Sequence, residues 1–216
     1  MRRRGIIQFG GVGVCLAIAG CLGNNDENEE REVVEDPDPQ SFNGEGDAVI
    51  DDLQNEGGFF AVEYGHEGDG DFTVELYSEE ASHSHVIVDD HGAVEGRWAE
   101  GTYDANYAIT VDAAGEWQLR IEQPRPSSEE VFSLPASLTG ERPDYAGPYE
   151  FNGQVTISAT YSGDDRFVAR VLDSNGNPYP PLFDREGSFE GEMTETYEHP
   201  GWIHVEAADK WTLDIN

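Results

Sequence analysis

Apolar and polar residues alternate along most of the chain with a period of two. In the first half, the alternation is carried by Phe60, Val62 and Tyr64, by Phe72, Val74 and Leu76, and by Trp117, Leu119 and Ile121. In the second half, it is carried by Ile157, Ala159 and Tyr161, by Phe167, Ala169 and Val171, and by Trp211, Leu213 and Ile215. Successive side chains of a strand point to opposite faces, so this pattern predicts half-buried β-strands. No stretch has a convincing helical period.

Turn-forming sequences separate the alternating runs. Residues 68–71, 163–165 and 173–178 combine glycine with aspartate or asparagine, which favours reversal of the chain. Short strands with turns at this spacing predict antiparallel β-sandwiches. The predicted fold class is therefore all-β.

The body of the chain is internally duplicated. The apolar positions of residues 109–121 recur in residues 203–215. A second matching block consists of Asp89, Gly92, Glu95 and Gly96, which recur as Asp184, Gly187, Glu190 and Gly191. We therefore predict two tandem repeats, 41–123 and 137–216, joined by a linker at 124–136. Two copies are too few for a solenoid, which needs at least three repeats.

Each repeat ends on the pattern apolar-x-Val-x-Ala-x-Gly-x-Trp-x-Leu-x-Ile, with Asp209 at the glycine position of the second copy. This ending resembles a repeat of uncharacterised secreted bacterial and archaeal proteins. The resemblance covers nearly all of residues 41–216 and implies a jelly-roll-like sandwich that closes on the tryptophan-bearing strand. It implies a fold and export from the cell, and it says little about activity. Because Asp209 replaces the glycine, we expect that turn to differ between the copies.

The N-terminus has the pattern of a secretory signal. Three arginines are followed by an apolar, glycine-rich run that ends at Gly20. The run is shorter than the roughly 20 apolar residues that span a bilayer, and Gln8 interrupts it. Residues 1–20 are therefore predicted to be a cleaved signal peptide rather than a membrane anchor.

Two local motifs refine this prediction. Residues 18–21 (Ile-Ala-Gly-Cys) resemble a lipobox, which implies that the thiol of Cys21 carries a lipid anchored in the membrane. Residues 3–8 resemble a twin-arginine export motif built on Arg3 and Arg4. Ile6 stands where the motif usually has phenylalanine, and Gln8 where it often has lysine. The segment 21–40 is polar and acidic and has almost nothing to bury. It is predicted to be a disordered tether.

Charge and cysteine content narrow the class further. The chain has 12 basic and 45 acidic residues, and its net charge is −33. Without the three arginines of the signal, nine basic residues remain against the same acids, a net charge of −36. Lys210 is the only lysine, and the composition resembles that of proteins from extreme halophiles. Nucleic-acid binding, which needs basic patches, is excluded. Of the two cysteines, Cys15 lies in the signal, so the mature chain is predicted to have no disulfide.

The segment 83–91 contains the sharpest candidate site. Residues two apart on a strand share a face, so His83 and His85 are placed to bind one ion, with Asp89 or His91 completing a zinc-type or copper-type set. The alternative is that these are polar residues of a solvated strand end. The histidines are not part of the shared scaffold, because the aligned positions of the second copy hold Pro178, Pro180, Asp184 and Glu186.

No catalytic motif stands out, and the chain is predicted not to be an enzyme. It contains no Gly-x-Ser-x-Gly elbow, phosphate-binding loop, dinucleotide fingerprint or His-Glu-x-x-His helix. Carboxylate pairs are uninformative among 45 acids. Some aromatic residues outside the alternating core are candidates either for a sugar-stacking surface or for filling sandwich ends and the contact between repeats: Trp98, Tyr103, Tyr145, Tyr149, Tyr179 and Trp202.

Three functions remain open at this stage. The leading prediction is a non-catalytic lipoprotein that displays its repeats for a structural, adhesive or partner-binding role. The second is an extracellular module that binds a metal ion or a carbohydrate. The third is an enzyme whose site has no sequence signature. The predicted partners are the membrane, through the lipid, and a surface protein or carbohydrate.

Overall fold

The structure, a computed structural model, describes residues 36–51, 53–127 and 129–216. These residues form 14 β-strands arranged in antiparallel sheets, with no α-helix among them. The part of the chain that the structure describes therefore contains no helix long and apolar enough to cross a membrane. The all-β prediction of tandem antiparallel sandwich repeats is confirmed.

The signal peptide, the export residues Arg3 and Arg4, the lipidation site Cys21 and most of the tether lie outside the described residues. They remain predictions. At the end of the tether, the chain enters the first strand at Gln40.

The first repeat consists of six strands: β1 (Gln40–Glu45), β2 (Ala48–Ile50), β3 (Gly58–Ser78), β4 (His83–His91), β5 (Val94–Thr102) and β6 (Ala108–Glu122). The second repeat consists of eight: β7 (Ala136–Gly140), β8 (Asp144–Tyr149), β9 (Gly153–Tyr161), β10 (Arg166–Asp173), β11 (Phe183–Glu186), β12 (Phe189–Tyr197), β13 (Gly201–Glu206) and β14 (Trp211–Ile215).

The two repeats have equivalent strand orders. In the second repeat, one sheet runs β12-β9-β14-β7 and the other β11-β10-β13-β8. In the first repeat, the long strands β3 and β6 pair with each other and belong to both layers. The N-terminal half of β3 pairs with β5 and its C-terminal half with β4. The C-terminal half of β6 pairs with β1 and its N-terminal half with β2.

One predicted turn is part of a strand. Residues 68–71 were expected to reverse the chain, but β3 runs through them, with a register shift against β6 between Gly68 and Phe72. A Cβ atom at Gly68 would lie 2.6 Å from the carbonyl oxygen of Ala114, so glycine lets the two strands stay in contact through the bend. The corresponding segment of the second repeat, 162–165, is a loop between β9 and β10.

Each repeat has its own core, closed by a tryptophan. Trp117 and Trp211 are 6% and 4% exposed. The indole nitrogen of Trp117 donates to the carbonyl oxygen of Gly46 at 2.8 Å, and that of Trp211 donates to the carbonyl oxygen of Arg142 at 3.0 Å. Both rings lie over a glycine of the neighbouring strand, where a Cβ atom would collide with the ring. The two tryptophans therefore make matching contacts in the two repeats.

A third apolar cluster joins the repeats. Phe59, Ala61 and Ala99 of the first repeat pack against Leu172 and Trp202 of the second. The rings of Phe59 and Trp202 are stacked, with centroids 4.1 Å apart. The five residues of this cluster are almost fully buried, so the two repeats pack against each other and do not behave as independent domains.

Candidate metal centre

The strand β4 places His83 and His85 on the inner side of the sandwich. His83 lies opposite Ser78 and His85 opposite Leu76, and both of these β3 residues are buried. The alternation of the strand keeps both imidazoles on this face. The sequence-based expectation that His83 and His85 share a face agrees with this placement.

A β-bulge separates the other two candidates from this pair. Val74 of β3 lies opposite Val88, but the next residue, Glu75, lies opposite Val86, so Ile87 is extra in β4. One extra residue reverses the alternation of everything that follows it. Beyond the bulge, Val88 and Asp90 lie opposite the buried Val74 and Phe72, whereas Asp89 and His91 lie opposite Thr73 and Asp71. Asp89 and His91 therefore project from the face of β4 opposite to that of His83 and His85.

Asp89 and His91 consequently make contacts of their own, away from His83 and His85. The carboxylate of Asp89 accepts a hydrogen bond from the hydroxyl of Thr73 at 3.0 Å. Nδ1 of His91 lies 2.9 Å from a carboxylate oxygen of Asp71, and both side chains are mostly exposed. The structure does not bring the four predicted ligands together.

Glu100 supplies the carboxylate that the sequence analysis did not identify. It lies on β5, which follows β4 through a turn at Gly92, and its side chain is on the same face as the buried Trp98 and Thr102. Its Oε2 atom lies 2.8 Å from Nδ1 of His85. One ligand atom from each of His83, His85 and Glu100 can be chosen so that all three lie within 4.8 Å of one another. The only sequence signal for Glu100 is its even spacing from Trp98, which places it on the same face of β5.

The two imidazoles face each other. Nε2 of His83 lies 2.9 Å from Nε2 of His85, and Nδ1 of His83 lies 3.1 Å from the hydroxyl oxygen of Tyr107. One proton arrangement satisfies every contact: Tyr107 donates to Nδ1 of His83, Nε2–H of His83 donates to His85, and Nδ1–H of His85 donates to Glu100. Both rings are thus held from behind at Nδ1, with their Nε2 atoms directed at each other.

The electrostatics favour the neutral form of His83. Burial lowers the pKa of His83, and the neighbouring His85 lowers it further, while Glu100 acts in the opposite direction. Burial also raises the pKa of Tyr107, so its hydroxyl keeps its proton. A neutral imidazole offers the lone pair that a metal ion requires.

The geometry is close to that of a small transition-metal site. Two imidazole nitrogens bound to a tetrahedral Zn²⁺ at 2.0–2.1 Å lie about 3.3 Å apart, so the His83 and His85 rings need to separate by only a few tenths of an ångström. Imidazole ligands suit Zn, Cu, Fe and Ni rather than Ca or Mg. A set of two histidines and one carboxylate leaves at least one coordination position for water or an external ligand.

The aromatic residues that were candidates for a sugar-stacking surface do not form one surface. Trp98 is buried with its centroid 5.9 Å from that of His85, and Tyr103, which is 62% exposed, lies 5.6 Å from His83. Tyr145 and Trp202 belong to the contact between the repeats, and Tyr179 packs on Tyr197. The positions of Trp98, Tyr145 and Trp202 agree with the filling role, whereas Tyr103 is largely exposed.

Comparison with known proteins gives little further guidance. No family model and no curated protein matches the chain. Among solved structures, the exported protein XepA of PBSX is 10% identical over 82% of each chain, with a TM-score of 0.26. An oxalate decarboxylase of Lactobacillus farciminis is 10% identical, covering 87% of this chain and 78% of its own, with a TM-score of 0.23. A deletion mutant of the Bacillus subtilis oxalate decarboxylase is 11% identical, covering 87% and 70%, with a TM-score of 0.22. Likenesses this low carry no argument about function.

Proposed function

We propose that this chain is an exported, non-catalytic β module that binds one divalent transition-metal ion between His83 and His85. The observation that supports the proposal is the facing pair of Nε2 atoms, 2.9 Å apart, with each ring held at Nδ1 by another side chain. The setting we propose is the outer face of the cell membrane, with a lipid on Cys21 as the anchor. Export and anchoring rest on the N-terminal sequence pattern alone.

The hydrogen bonds around the two rings leave them with protons on different nitrogen atoms, so only one ring must change its tautomer to bind an ion. His85 already carries its proton on Nδ1, facing Glu100, so its Nε2 lone pair is free for a ligand bond. His83 must shift its proton from Nε2 to Nδ1, where the oxygen of Tyr107 accepts it. The Tyr107 hydroxyl oxygen then acts as an acceptor at this contact instead of its hydroxyl acting as the donor.

Glu100 has two roles open to it. In its present position it orients His85 from behind, as carboxylates commonly do for metal-bound histidines. A rotation of its side chain would instead make it the third ligand, completing a set of two histidines and one carboxylate. Both arrangements favour zinc or copper, and both predict that the site weakens when Glu100 is removed.

Calorimetric titration with Zn²⁺ and with Cu²⁺ in molar NaCl tests the proposal. We expect one ion per chain, with the affinity reduced by about 100-fold or more in the His83→Ala/His85→Ala variant. His91→Ala is the matched control, because it removes an exposed histidine of the same strand, and it should leave the affinity unchanged. Equal heats in all three proteins, or no site-specific heat in any, would contradict the proposal.

The second candidate function is a structural or adhesive module. The observation in its favour is the buried contact between the repeats, which gives the protein a fixed shape independent of any ion. This candidate makes a different prediction in the same titration, because metal binding would be limited to weak association with exposed acids. The surface display through Cys21 is common to both candidates.

A further inference from the structure

A groove of about 610 Å³ lies between the repeats, on the side away from the histidine pair. Its floor is the outer face of the layer formed by β1, β6, β3 and β5. Its wall is the segment 140–144, which joins β7 to β8 in the second repeat. The volume falls in the range of roughly 300–1,000 Å³ that is usual for pockets that hold small ligands.

Two rows of side chains cross the floor of the groove. The strand registers define the first row as Ser41, Arg120, Glu63 and Arg97, and the second as Asn43, Gln118, Gly65 and Glu95. Because the registers of the second repeat match, its equivalent rows are Ser137, Asp214, Ser158 and Glu192, and Thr139, Thr212, Thr160 and Glu190. The second repeat therefore serves as an internal reference for what the scaffold alone requires.

Six of the eight residues in the reference rows form hydrogen bonds with one another. Thr160 and Thr212 share a hydrogen bond at 2.7 Å, Ser158 donates to Glu192, and Ser137 donates to Asp214. In the groove, by contrast, the side chains of Ser41, Asn43, Glu63 and Gln118 make no hydrogen bond to another described residue. All four are exposed. Gly65 leaves space beside the amide of Gln118, where a Cβ atom would come within 3.1 Å of its nitrogen.

The charge of the groove also departs from that of the rest of the chain. Its two rows contain two arginines and two glutamates, whereas the reference rows contain three acids and no cation. Arg97 is paired with Asp144 and lies 4.6 Å from the ring centroid of Tyr145, and Arg142 is paired with Glu95. In a chain of net charge −33, this balanced surface favours neither an anionic polymer nor a free cation.

The groups in the groove suit a ligand that is rich in hydroxyls. An amide and a carboxylate each present two polar atoms in one plane, so each can bond two adjacent hydroxyls. Nε and Nη2 of Arg120 already donate to Glu122, which leaves Nη1 as its donor to a ligand. A peptide would require apolar pockets for its side chains. The apolar residues along the groove, Phe42, Tyr64 and Leu119, instead pack into the core of the first repeat.

We propose that this groove binds a short neutral oligosaccharide through Glu63, Gln118 and Arg120. The site is independent of the metal centre, because its residues lie on the outer face of the layer and the histidines lie on the inner side. The ligand carries no charge, so binding varies little between low and molar salt.

Titration with a panel of neutral hexasaccharides, namely maltohexaose, cellohexaose, mannohexaose and chitohexaose, tests the assignment, with hexagalacturonate as the acidic comparator. At least one neutral member should bind, and Gln118→Ala and Glu63→Ala should each weaken it about tenfold. Thr212→Ala, at the position of the second repeat equivalent to Gln118, should leave it unchanged. Both groove positions are exposed, so unfolding is not expected, and melting temperatures would verify this. Binding by hexagalacturonate alone, binding that survives both groove substitutions, or no binding would overturn the proposal. The His83→Ala/His85→Ala variant should retain full sugar binding, which separates this test from that of the metal centre.

Discussion

The ring of Trp98 meets the ring of His204 edge to face, with centroids 6.5 Å apart and planes at 89°. Trp98 also lies beside His85, so one indole separates the histidine pair of the first repeat from a buried histidine of the second. His204 is 3% exposed, and its Nε2 atom has no hydrogen-bond partner among the described residues. Across the sheet it is flanked by Arg170 on β10 and Tyr145 on β8.

His204 should make stability depend on pH. Burial, with a smaller contribution from Arg170, lowers its pKa to about 3. The folded state therefore resists protonation while the unfolded state binds a proton near pH 6.5. Its contribution to stability is complete above about pH 6.5 and is lost as the pH falls towards 3, by up to about 5 kcal/mol.

Chemical denaturation of wild type and His204→Gln between pH 7 and pH 4, in molar NaCl, measures this term. The free energy of unfolding should fall more steeply with decreasing pH in wild type than in the variant. His199→Gln, at an exposed position, should follow the wild-type slope. Parallel curves for wild type and His204→Gln would show that this histidine does not titrate on unfolding.

Tyr107 should act on the metal site through His83. Replacement by Phe removes the oxygen that accepts Nδ1–H of the metal-bound ring, and such second-shell losses typically cost 10–100-fold in affinity. We expect Tyr107→Phe to weaken Zn²⁺ binding about tenfold. Tyr103→Phe, which alters a neighbouring exposed tyrosine, is the control and should bind normally. An unchanged affinity in Tyr107→Phe would mean that Nδ1 of His83 is held in some other way.

The closing tryptophans should contribute strongly to stability. Trp117→Ala and Trp211→Ala each remove a buried ring and its hydrogen bond to a backbone carbonyl, and each should cost roughly 3–5 kcal/mol. Tyr103→Ala, at a largely exposed position, should change stability by less than about 0.5 kcal/mol. Urea unfolding at constant salt provides the measurement. A small cost at either tryptophan would contradict the equivalence of the two closing strands.

Stability should rise with salt. At molar salt the Debye length is about 3 Å, so the repulsion within a chain of net charge −33 is largely screened. The urea midpoint should increase steadily between dilute and molar NaCl. The Glu190→Gln/Glu192→Gln variant removes two acids from one face of the second repeat and should show a weaker dependence. A midpoint that does not move with salt would remove the halophile interpretation.

The lipid anchor has a direct chemical test. Cys21→Ser should abolish lipid attachment, as measured by mass spectrometry of the N-terminal peptide, and should release the protein from the membrane fraction or leave the signal uncut. Replacement of both Arg3 and Arg4 by lysine should block export through a twin-arginine route. Normal surface levels in that double variant would refute the route without affecting the lipobox prediction.

The sequence predicts strands well here because burial on one face imposes a period of two that is visible in any single strand. It predicts the duplication for the same reason, since both copies must fill equivalent cores. The same reasoning does not predict the β-bulge at Ile87. Because residues 86–88 are all apolar, the sequence does not show where the alternation of β4 reverses, and Asp89 and His91 could not be separated from His83 and His85. Glu100 depends on how β4 and β5 approach each other in space, which spacing along one strand does not encode.

The surface on which the first repeat contacts the second has no equivalent on the second repeat. The first repeat receives the second on Phe59, Ala61 and Ala99. The matching registers place Gln154, Thr156 and Thr194 at the corresponding positions of the second repeat, and the hydroxyls of Thr156 and Thr194 lie 3.2 Å apart. A further unit docking in the same way would have to bury amides and hydroxyls instead of a phenyl ring and two methyl groups. The second repeat is thus built as an end cap, like the polar terminal units of longer repeat arrays, and the two copies cannot be exchanged for one another.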